Sequence, residues 1–111
     1  MIDRDDAEHY TWGQNCDGWH LLKSSEVSVI QERMGPDTFE MRHVHNKSRQ
    51  FFFVLSGEAV MEMDGNHYHL HAKQGIEISP HTPHQMMNKS TNVVEFLVIS
   101  SPPSHGDRVD I

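Results

Sequence analysis

Residues 50–71 read QFFFVLSGEAVMEMDGNHYHLH, and this stretch decides the fold class. Its runs of branched and aromatic residues are separated by Ser56-Gly57 and by Asp64-Gly65-Asn66, which suit tight turns between antiparallel strands. Similar short runs continue from Trp19 to Ser100, and no window of about 11 to 18 residues has a helical period. The sequence therefore predicts an all-β chain, folded as a sandwich or a closed barrel.

Composition narrows the class of protein and of partner. The chain has 111 residues, with nine Lys and Arg against sixteen Asp and Glu, for a formal charge of −7. This length suits one domain, and the negative charge argues against nucleic acid as a partner. Cys16 is the single cysteine, the amino terminus is polar, and no apolar run approaches the ~20 residues of a membrane span. We expect a soluble, cytoplasmic protein with no membrane partner.

The patterning divides the chain into three parts. Residues 1–18 are acidic, contain several turn-forming residues and show no sustained apolar period, so we expect a surface lead-in segment. Residues 19–101 carry the predicted strands and form the barrel domain. Residues 102–111 (PPSHGDRVDI) have little to bury and are predicted to be a C-terminal tail, either a surface strap or a partner contact.

Three of the ten histidines and one glutamine form a candidate metal site. His43 and His45 lie two residues apart on a predicted strand, so their side chains share one face about 6.6 Å apart. If that run pairs with residues 50–55, Gln50 enters on the neighbouring strand, and His84 completes the set from a third. Imidazole nitrogens suit Zn, Fe, Ni, Mn or Cu. Each residue alone is ordinary, and an exposed polar strand face is the alternative for His43 and His45.

The order of these residues resembles the cupin superfamily, in its small single-domain form. The first family motif is matched by Gly35, His43-Val44-His45, Gln50 and Gly57, and the second by Pro80-His81-Thr82-Pro83-His84 with Asn88. The resemblance implies a double-stranded β-helix, or jelly-roll barrel, with a divalent transition metal held inside by His43, His45, Gln50 and His84. It also implies a small-molecule ligand and, often, a homodimer.

Two departures from the family pattern bear on function. Gln50 stands where the family has a glutamate, so a divalent ion here keeps about its full +2 charge. Such a site binds metal less tightly and favours anionic ligands, and a degenerate site without metal is the alternative. His81 replaces a turn residue of the second motif; it either adopts an unusual backbone angle or projects over the pocket mouth.

Strand parity assigns the remaining side chains of the barrel interior. The predicted pocket wall consists of Met41, Phe52, Val54, Met61, Met63, His81, Met86, Asn88 and Phe96. Ordinary barrel core is the alternative for all of them. Glu40 and Arg42 point away by the same parity, which leaves the pocket without a clearly placed carboxylate. In the second alternating run, Tyr68 and Leu70 point inward, and His67, His69 and His71 form a solvated face.

Two classes of function fit these residues. The first is a metal-dependent enzyme acting on a small molecule, either dioxygenase-like or isomerase/lyase-like; the missing carboxylate slightly favours oxygen chemistry. The second is a non-catalytic binding or sensing module, since fold alone does not decide between them. A structural subunit of a larger assembly is a third possibility. The second face of this strand is apolar too, through Phe51, Phe53 and Leu55, so either the second sheet or a strap of the same chain covers it, or another subunit does. We favour the second explanation, a homodimer.

Overall fold

The computed structural model describes all residues from 1 to 111, and its regular secondary structure consists of β-strands alone. The twelve strands are β1 (Glu8–Trp12), β2 (Cys16–Lys23), β3 (Ser28–Met34), β4 (Thr38–Phe39), β5 (His43–His45), β6 (Arg49–Ser56), β7 (Glu58–Met63), β8 (Asn66–His71), β9 (Gly75–Ile78), β10 (His84–Asn88), β11 (Val94–Ser101) and β12 (Arg108–Asp110). No helix has the length and apolar character that a membrane span needs.

The strands form two antiparallel sheets that face each other. One sheet has the order β1-β2-β3-β11-β6-β9, and the other β12-β5-β10-β7-β8, with β4 paired to β10. From β5 onwards the chain passes repeatedly from one sheet to the other; only the β7–β8 hairpin stays in one sheet. This back-and-forth winding is a double-stranded β-helix, and it confirms the predicted all-β jelly roll.

The two predicted turns have different roles. Asp64 and Gly65 join β7 to β8, which pair from Glu58–His71 to Met63–Asn66, so this hairpin is confirmed. The prediction for Ser56-Gly57 was wrong, because β6 and β7 belong to different sheets. Gly57 has φ +81°, and a Cβ there would lie 2.4 Å from the Val93 carbonyl oxygen. Only glycine suits this crossover.

The core lies between the sheets and follows the period-two alternation of the strands. Phe52 and Val54 of β6 are buried beside Phe96 and Val98 of β11, while Phe51 of β6 is exposed. Met61, Met86 and Met34 are fully buried and belong to the same cluster. Flexible, polarizable methionines suit the irregular space between two curved sheets.

The amino-terminal segment differs from the prediction. Residues 1–18 include β1 and the start of β2, which pair antiparallel from Glu8–His20 to Trp12–Cys16. Gly18 leaves room for the Tyr10 ring to lie across this hairpin, because a Cβ there would lie 2.2 Å from that ring. One feature of the sequence does indicate β1: Tyr10 and Trp12 alternate with polar residues, as expected for a half-buried strand. The alternation is easily overlooked because the strand is only five residues long.

The carboxyl-terminal segment also contributes a strand. β12 pairs with β5, from Arg108–His45 to Asp110–His43, although its own three residues are exposed. Short, polar strands of this kind have no hydrophobic pattern to reveal them.

The second histidine run is mostly as predicted. His67, His69 and His71 are exposed and Leu70 is buried. Tyr68, however, is 40% exposed: β8 is the edge strand of its sheet, and Leu70 is its only buried residue.

Candidate metal centre

Three histidines meet inside the barrel at the junction of β5 and β10. His84 of β10 lies directly opposite His43 of β5, and His45 follows on the same face. All three are buried, and their ring centroids lie 4.3 to 5.7 Å apart. One nitrogen from each ring can be chosen so that all three lie within 4.8 Å of one another. This separation suits three ligands of a single metal ion.

Backbone carbonyls orient all three rings in the same sense. The Nδ1 of His43 donates to the Met41 carbonyl at 2.7 Å, and that of His84 donates to the Thr82 carbonyl at 2.9 Å. The Nδ1 of His45 donates to the Asp107 carbonyl at 2.9 Å. A carbonyl only accepts, so each Nδ1 carries a proton, and in the neutral ring Nε2 then keeps its lone pair.

The Nε2 atoms are available for a ligand. Those of His45 and His84 are buried and have no hydrogen-bond partner. Burial lowers the pKa of His43 to about 3, and burial also lowers the pKa of His84. Neutral imidazoles with buried, unpaired lone pairs cost free energy, which a bound cation would recover. The residues therefore fit a transition metal.

Gln50 reaches the interior from the sheet opposite the histidines. The expectation that β5 and β6 pair as neighbours was wrong: β6 pairs with β9 and β11 in the other sheet. The Gln50 amide nitrogen donates to Ser100 Oγ at 3.0 Å, and its Oε1 is buried without a partner. An amide oxygen held in this way can serve as a neutral metal ligand.

A cavity of about 300 Å³ opens beside the histidines. The part of its wall nearest the three histidines consists of His45, Gln50 and Phe52. The other lining residues are Tyr10, Trp12, Ile30, Glu32, Glu40, Val98, Ser104, His105, Gly106 and Arg108. Most of these come from β1, β3 and the C-terminal segment, and none of the predicted site residues lies in those parts of the chain.

Glu40 lines this cavity, so its predicted outward orientation was wrong. The chain takes four residue steps from Phe39 to His43, whereas the paired strand takes three from Met87 to His84. The extra residue is a β-bulge, and a bulge shifts the side chains on one side of it to the opposite face. Parity counted back from His43 therefore fails at Glu40.

Glu32 of β3 is a second carboxyl group on the cavity wall. Tyr10 donates a hydrogen bond to Glu32 Oε2 at 3.0 Å, and the Met86 N–H donates to Glu40 Oε1 at 2.9 Å. Burial raises the pKa of Glu32 to about 7. Burial, and secondarily the charge of Glu32, raise the pKa of Glu40 to about 8. Burial and the neighbouring Glu32 carboxylate also raise the pKa of Tyr10.

The predicted pocket residues fall into three groups: one residue lines the cavity, most belong to the core, and Met41 and His81 lie outside both. Phe52 lines the cavity, 6.2 Å from the His84 ring. Core positions, buried or partly buried and away from the cavity wall, are taken by Val54, Met61, Met63, Met86, Asn88 and Phe96. Asn88 is structural, because its amide nitrogen donates to the carbonyls of Met34 and Gly35.

Met41 and His81 lie outside the cavity, which corrects their assignment to its wall. Met41 is 57% exposed because the bulge that turns Glu40 inward turns Met41 outward. His81 is exposed in a turn with φ +68°, and its N–H donates to the His45 carbonyl at 2.7 Å. Of the two alternatives for His81, the structure shows the unusual backbone angle.

Comparison with known proteins agrees with the barrel and its motifs. A sequence profile of the Cupin domain family matches residues 31–100. An uncharacterized protein of Methanocaldococcus jannaschii is 32% identical over 89 residues, covering 79% of this chain and 71% of that protein. The HTH-type transcriptional regulator PuuR of Escherichia coli is 28% identical over 76 residues, which cover 68% of this chain but only 41% of the regulator.

Solved structures share the whole barrel. An RmlC-like cupin from Shewanella frigidimarina superposes with a TM-score of 0.85 at 18% identity, covering 96% of this chain and 93% of the other. The family match spans both histidine motifs and most of the strands. The chain therefore belongs to the cupin family.

Proposed function

We propose that this protein is a metal-dependent enzyme that transfers protons on a small polar or anionic molecule, in an isomerase- or lyase-like reaction. One observation carries the proposal: three buried imidazoles converge beside a cavity that also holds two carboxyl groups of raised pKa. Metal ligands and proton-transfer groups are thus within reach of one bound molecule.

His43, His45 and His84 would hold the metal, with the Gln50 oxygen as a neutral fourth group. Zn, Fe, Ni, Mn and Cu all accept this donor set. When bound, the metal supplies Lewis-acid polarisation of a carbonyl or hydroxyl group of the substrate. Because all four protein groups are neutral, little of the ion's charge is compensated, and this favours an anionic ligand.

Glu32 and Glu40 would move the proton. A general acid or base works best when its pKa lies near the operating pH, and the two carboxyl groups are raised towards neutrality. The hydrogen bond from Tyr10 orients Glu32, and the Met86 N–H orients Glu40. These carboxyl groups supply the acid and base whose apparent absence had favoured oxygen chemistry, so we now favour proton transfer over a dioxygenase.

The cavity restricts the size and charge of the substrate. Its volume of about 300 Å³ is at the lower end of the range for small-molecule sites. Arg108 and His105 bring basic groups to the wall, while Trp12, Phe52 and Val98 offer apolar surface. A compact metabolite with a carboxylate or phosphate group suits this combination.

Metal content and proton exchange test the proposal together. Protein purified without added metal should contain close to one transition metal per chain, and His84→Ala should lose it. The metal-loaded protein should exchange a carbon-bound hydrogen of a small keto acid, ketose or hydroxy acid with deuterated solvent, as observed by proton NMR. Oxygen consumption without such exchange would favour the dioxygenase, and a metal-free, folded protein would refute both enzymatic forms.

A sensing module is the second candidate, favoured by the relationship to PuuR. This chain matches 41% of that transcriptional regulator, so a cupin barrel of this kind forms part of a regulatory protein. The same cavity would then bind a metabolite without converting it. Tight ligand binding by calorimetry, with no turnover of that ligand, would favour this alternative.

We also propose a homodimer. The outer face of β6 carries Phe51 and Phe53 with their rings stacked 6.3 Å apart, and Phe51 is 39% exposed. Burying this face against a second copy would remove apolar surface from water. Sedimentation analysis should give twice the chain mass, and Phe51→Lys should shift it towards the monomer.

A further inference from the structure

We propose that the C-terminal segment, residues 102–111, positions the metal centre, so that docking of this segment and binding of the metal stabilise each other. The inference rests on the proposed metal binding. It assigns Asp107 as a positioning residue, although the sequence marked residues 102–111 only as a surface strap or partner contact.

The segment orients one of the three histidines. His43 and His84 donate to carbonyls two residues earlier in their own chain segments, at Met41 and Thr82. His45 instead donates to the carbonyl of Asp107, which is 62 residues away in sequence. Two imidazoles are therefore held by local backbone, whereas the third is held only while the C-terminal segment is docked.

Asp107 also fixes the loop between His45 and Gln50. Its carboxylate accepts hydrogen bonds from the N–H groups of Asn46, Lys47 and Ser48, at 3.2, 2.9 and 2.8 Å. These bonds lower the pKa of Asp107, so the carboxylate is charged at neutral pH. One residue thus orients a metal ligand through its carbonyl and anchors the loop to the fourth ligand through its side chain.

The rest of the segment adds hydrogen bonds but buries little. Ser48 Oγ donates to the Pro102 carbonyl at 2.7 Å, and the Ile111 N–H donates to the Arg42 carbonyl at 3.0 Å. β12 pairs with β5 alone, and its residues are exposed. A strand held at a sheet edge by hydrogen bonds, with little apolar burial, opens at a small free-energy cost.

These contacts make the coupling reciprocal. Undocking removes the hydrogen-bond partner of His45 Nδ1 and releases the ring, and this weakens metal binding. A bound metal holds the His45 ring in the orientation that Asp107 requires, which favours docking by the same free energy. Undocking would also open the cavity, because Ser104, His105 and Arg108 form part of its wall.

The first experiment measures Zn²⁺ affinity, by competition with a chromophoric chelator, for the unaltered protein and three variants. Asp107→Ala removes the carboxylate that docks the segment on the 46–48 loop, so the Asp107 carbonyl is no longer held against the His45 ring. Zn²⁺ binding should weaken by about 10-fold or more, as it does when a metal ligand loses its orienting partner. Asp107→Asn keeps one acceptor oxygen and should fall between Asp107→Ala and the unaltered protein. Glu58→Gln removes an exposed carboxylate on β7, which does not pair with the segment, and should leave the affinity unchanged.

Two further readouts separate positioning from a general loss of structure. The visible spectrum of the Co²⁺-loaded protein should change in Asp107→Ala, because the undocked segment no longer holds its residue-107 carbonyl against the His45 ring. In the unaltered protein, Zn²⁺ should slow hydrogen exchange at the Ile111 amide, which bonds to Arg42 across the β5–β12 edge. In Asp107→Ala this slowing should be smaller.

The outcomes distinguish this inference from the proposed function. If the unaltered protein binds no Zn²⁺, the metal centre and the coupling both fail. If it binds Zn²⁺ but Asp107→Ala binds equally tightly, and Zn²⁺ leaves exchange at Ile111 unchanged, the coupling alone is overturned. The exchange measurement needs no variant, so it decides the question even if Asp107→Ala does not fold.

Discussion

Replacing Glu40 by glutamine should stabilise the metal-free protein at pH 8 and leave it nearly unchanged at pH 5. Burial and the charge of Glu32 raise the pKa of Glu40 from its ordinary 4.5 to about 8. Glutamine has the same shape and keeps the oxygen that accepts from the Met86 N–H, so the substitution removes the charge and little else.

The direction follows from the proton balance. Between pH 4.5 and about 8, the folded protein holds a proton on Glu40 that the unfolded chain has released. The contribution of this group to stability is therefore greatest below pH 4.5, falls as the pH rises through this window, and levels off above the folded pKa. At about 1.36 kcal/mol per pKa unit, the cost of the charge reaches about 4 kcal/mol at pH 8 and stays below about 1 kcal/mol at pH 5. Water in the cavity reduces the cost, so we expect Glu40→Gln to gain about 2 to 4 kcal/mol at pH 8.

Urea unfolding of chelator-treated protein at both pH values measures this difference. Glu58→Gln is the matched control, because it removes an exposed carboxylate and should change the free energy of unfolding by less than about 0.5 kcal/mol. A Glu40→Gln protein that is no more stable than the unaltered protein at pH 8 would refute the placement of Glu40 as a partly buried, costly charge on the cavity wall.

Three further changes test other parts of the structure. Glu62→Gln should destabilise the protein by about 1.5 to 3 kcal/mol near pH 7, because this buried carboxylate accepts from Arg42 at 2.6 and 3.3 Å. The Arg42 guanidinium lowers the pKa of Glu62. The difference in the free energy of unfolding, measured in urea, should therefore disappear as the pH falls through that pKa. Gly57→Ala should cost more stability than Gly65→Ala, although both glycines have positive φ, because a Cβ at Gly57 would meet a backbone oxygen at 2.4 Å while Gly65 faces open space. In thermal unfolding we expect a loss of about 2 to 4 kcal/mol for Gly57→Ala and about 1 to 2 kcal/mol for Gly65→Ala. Equal losses would contradict the crossover geometry. Gln50→Glu should raise the Zn²⁺ affinity by about tenfold or more, because it adds a negative charge beside the three imidazoles. Chelator competition measures this affinity, and an unchanged value would show that residue 50 lies too far from the ion to act on it.

The sequence revealed the strands and the histidine motifs because both signals are local. Alternation with period two depends on neighbouring residues only, and the predicted runs from Trp19 to Ser100 cover strands β2 to β11 of the structure. The spacing of His43, His45, Gln50 and His84 was enough to indicate the cupin barrel and a candidate metal site. Short, polar strands such as β12 have no such alternation and were missed.

The composition of the cavity was decided by the tertiary structure. The bulge before His43 turns Glu40 inward, and strand parity cannot detect it, because the extra residue is defined only by the register against β10. Gln50 faces the histidines across the barrel because β6 belongs to the opposite sheet, and sheet membership depends on pairings between residues far apart in sequence. For the same reason only the folded chain brings Tyr10 and Asp107 to the site, from segments that have no hydrophobic pattern strong enough to predict their positions.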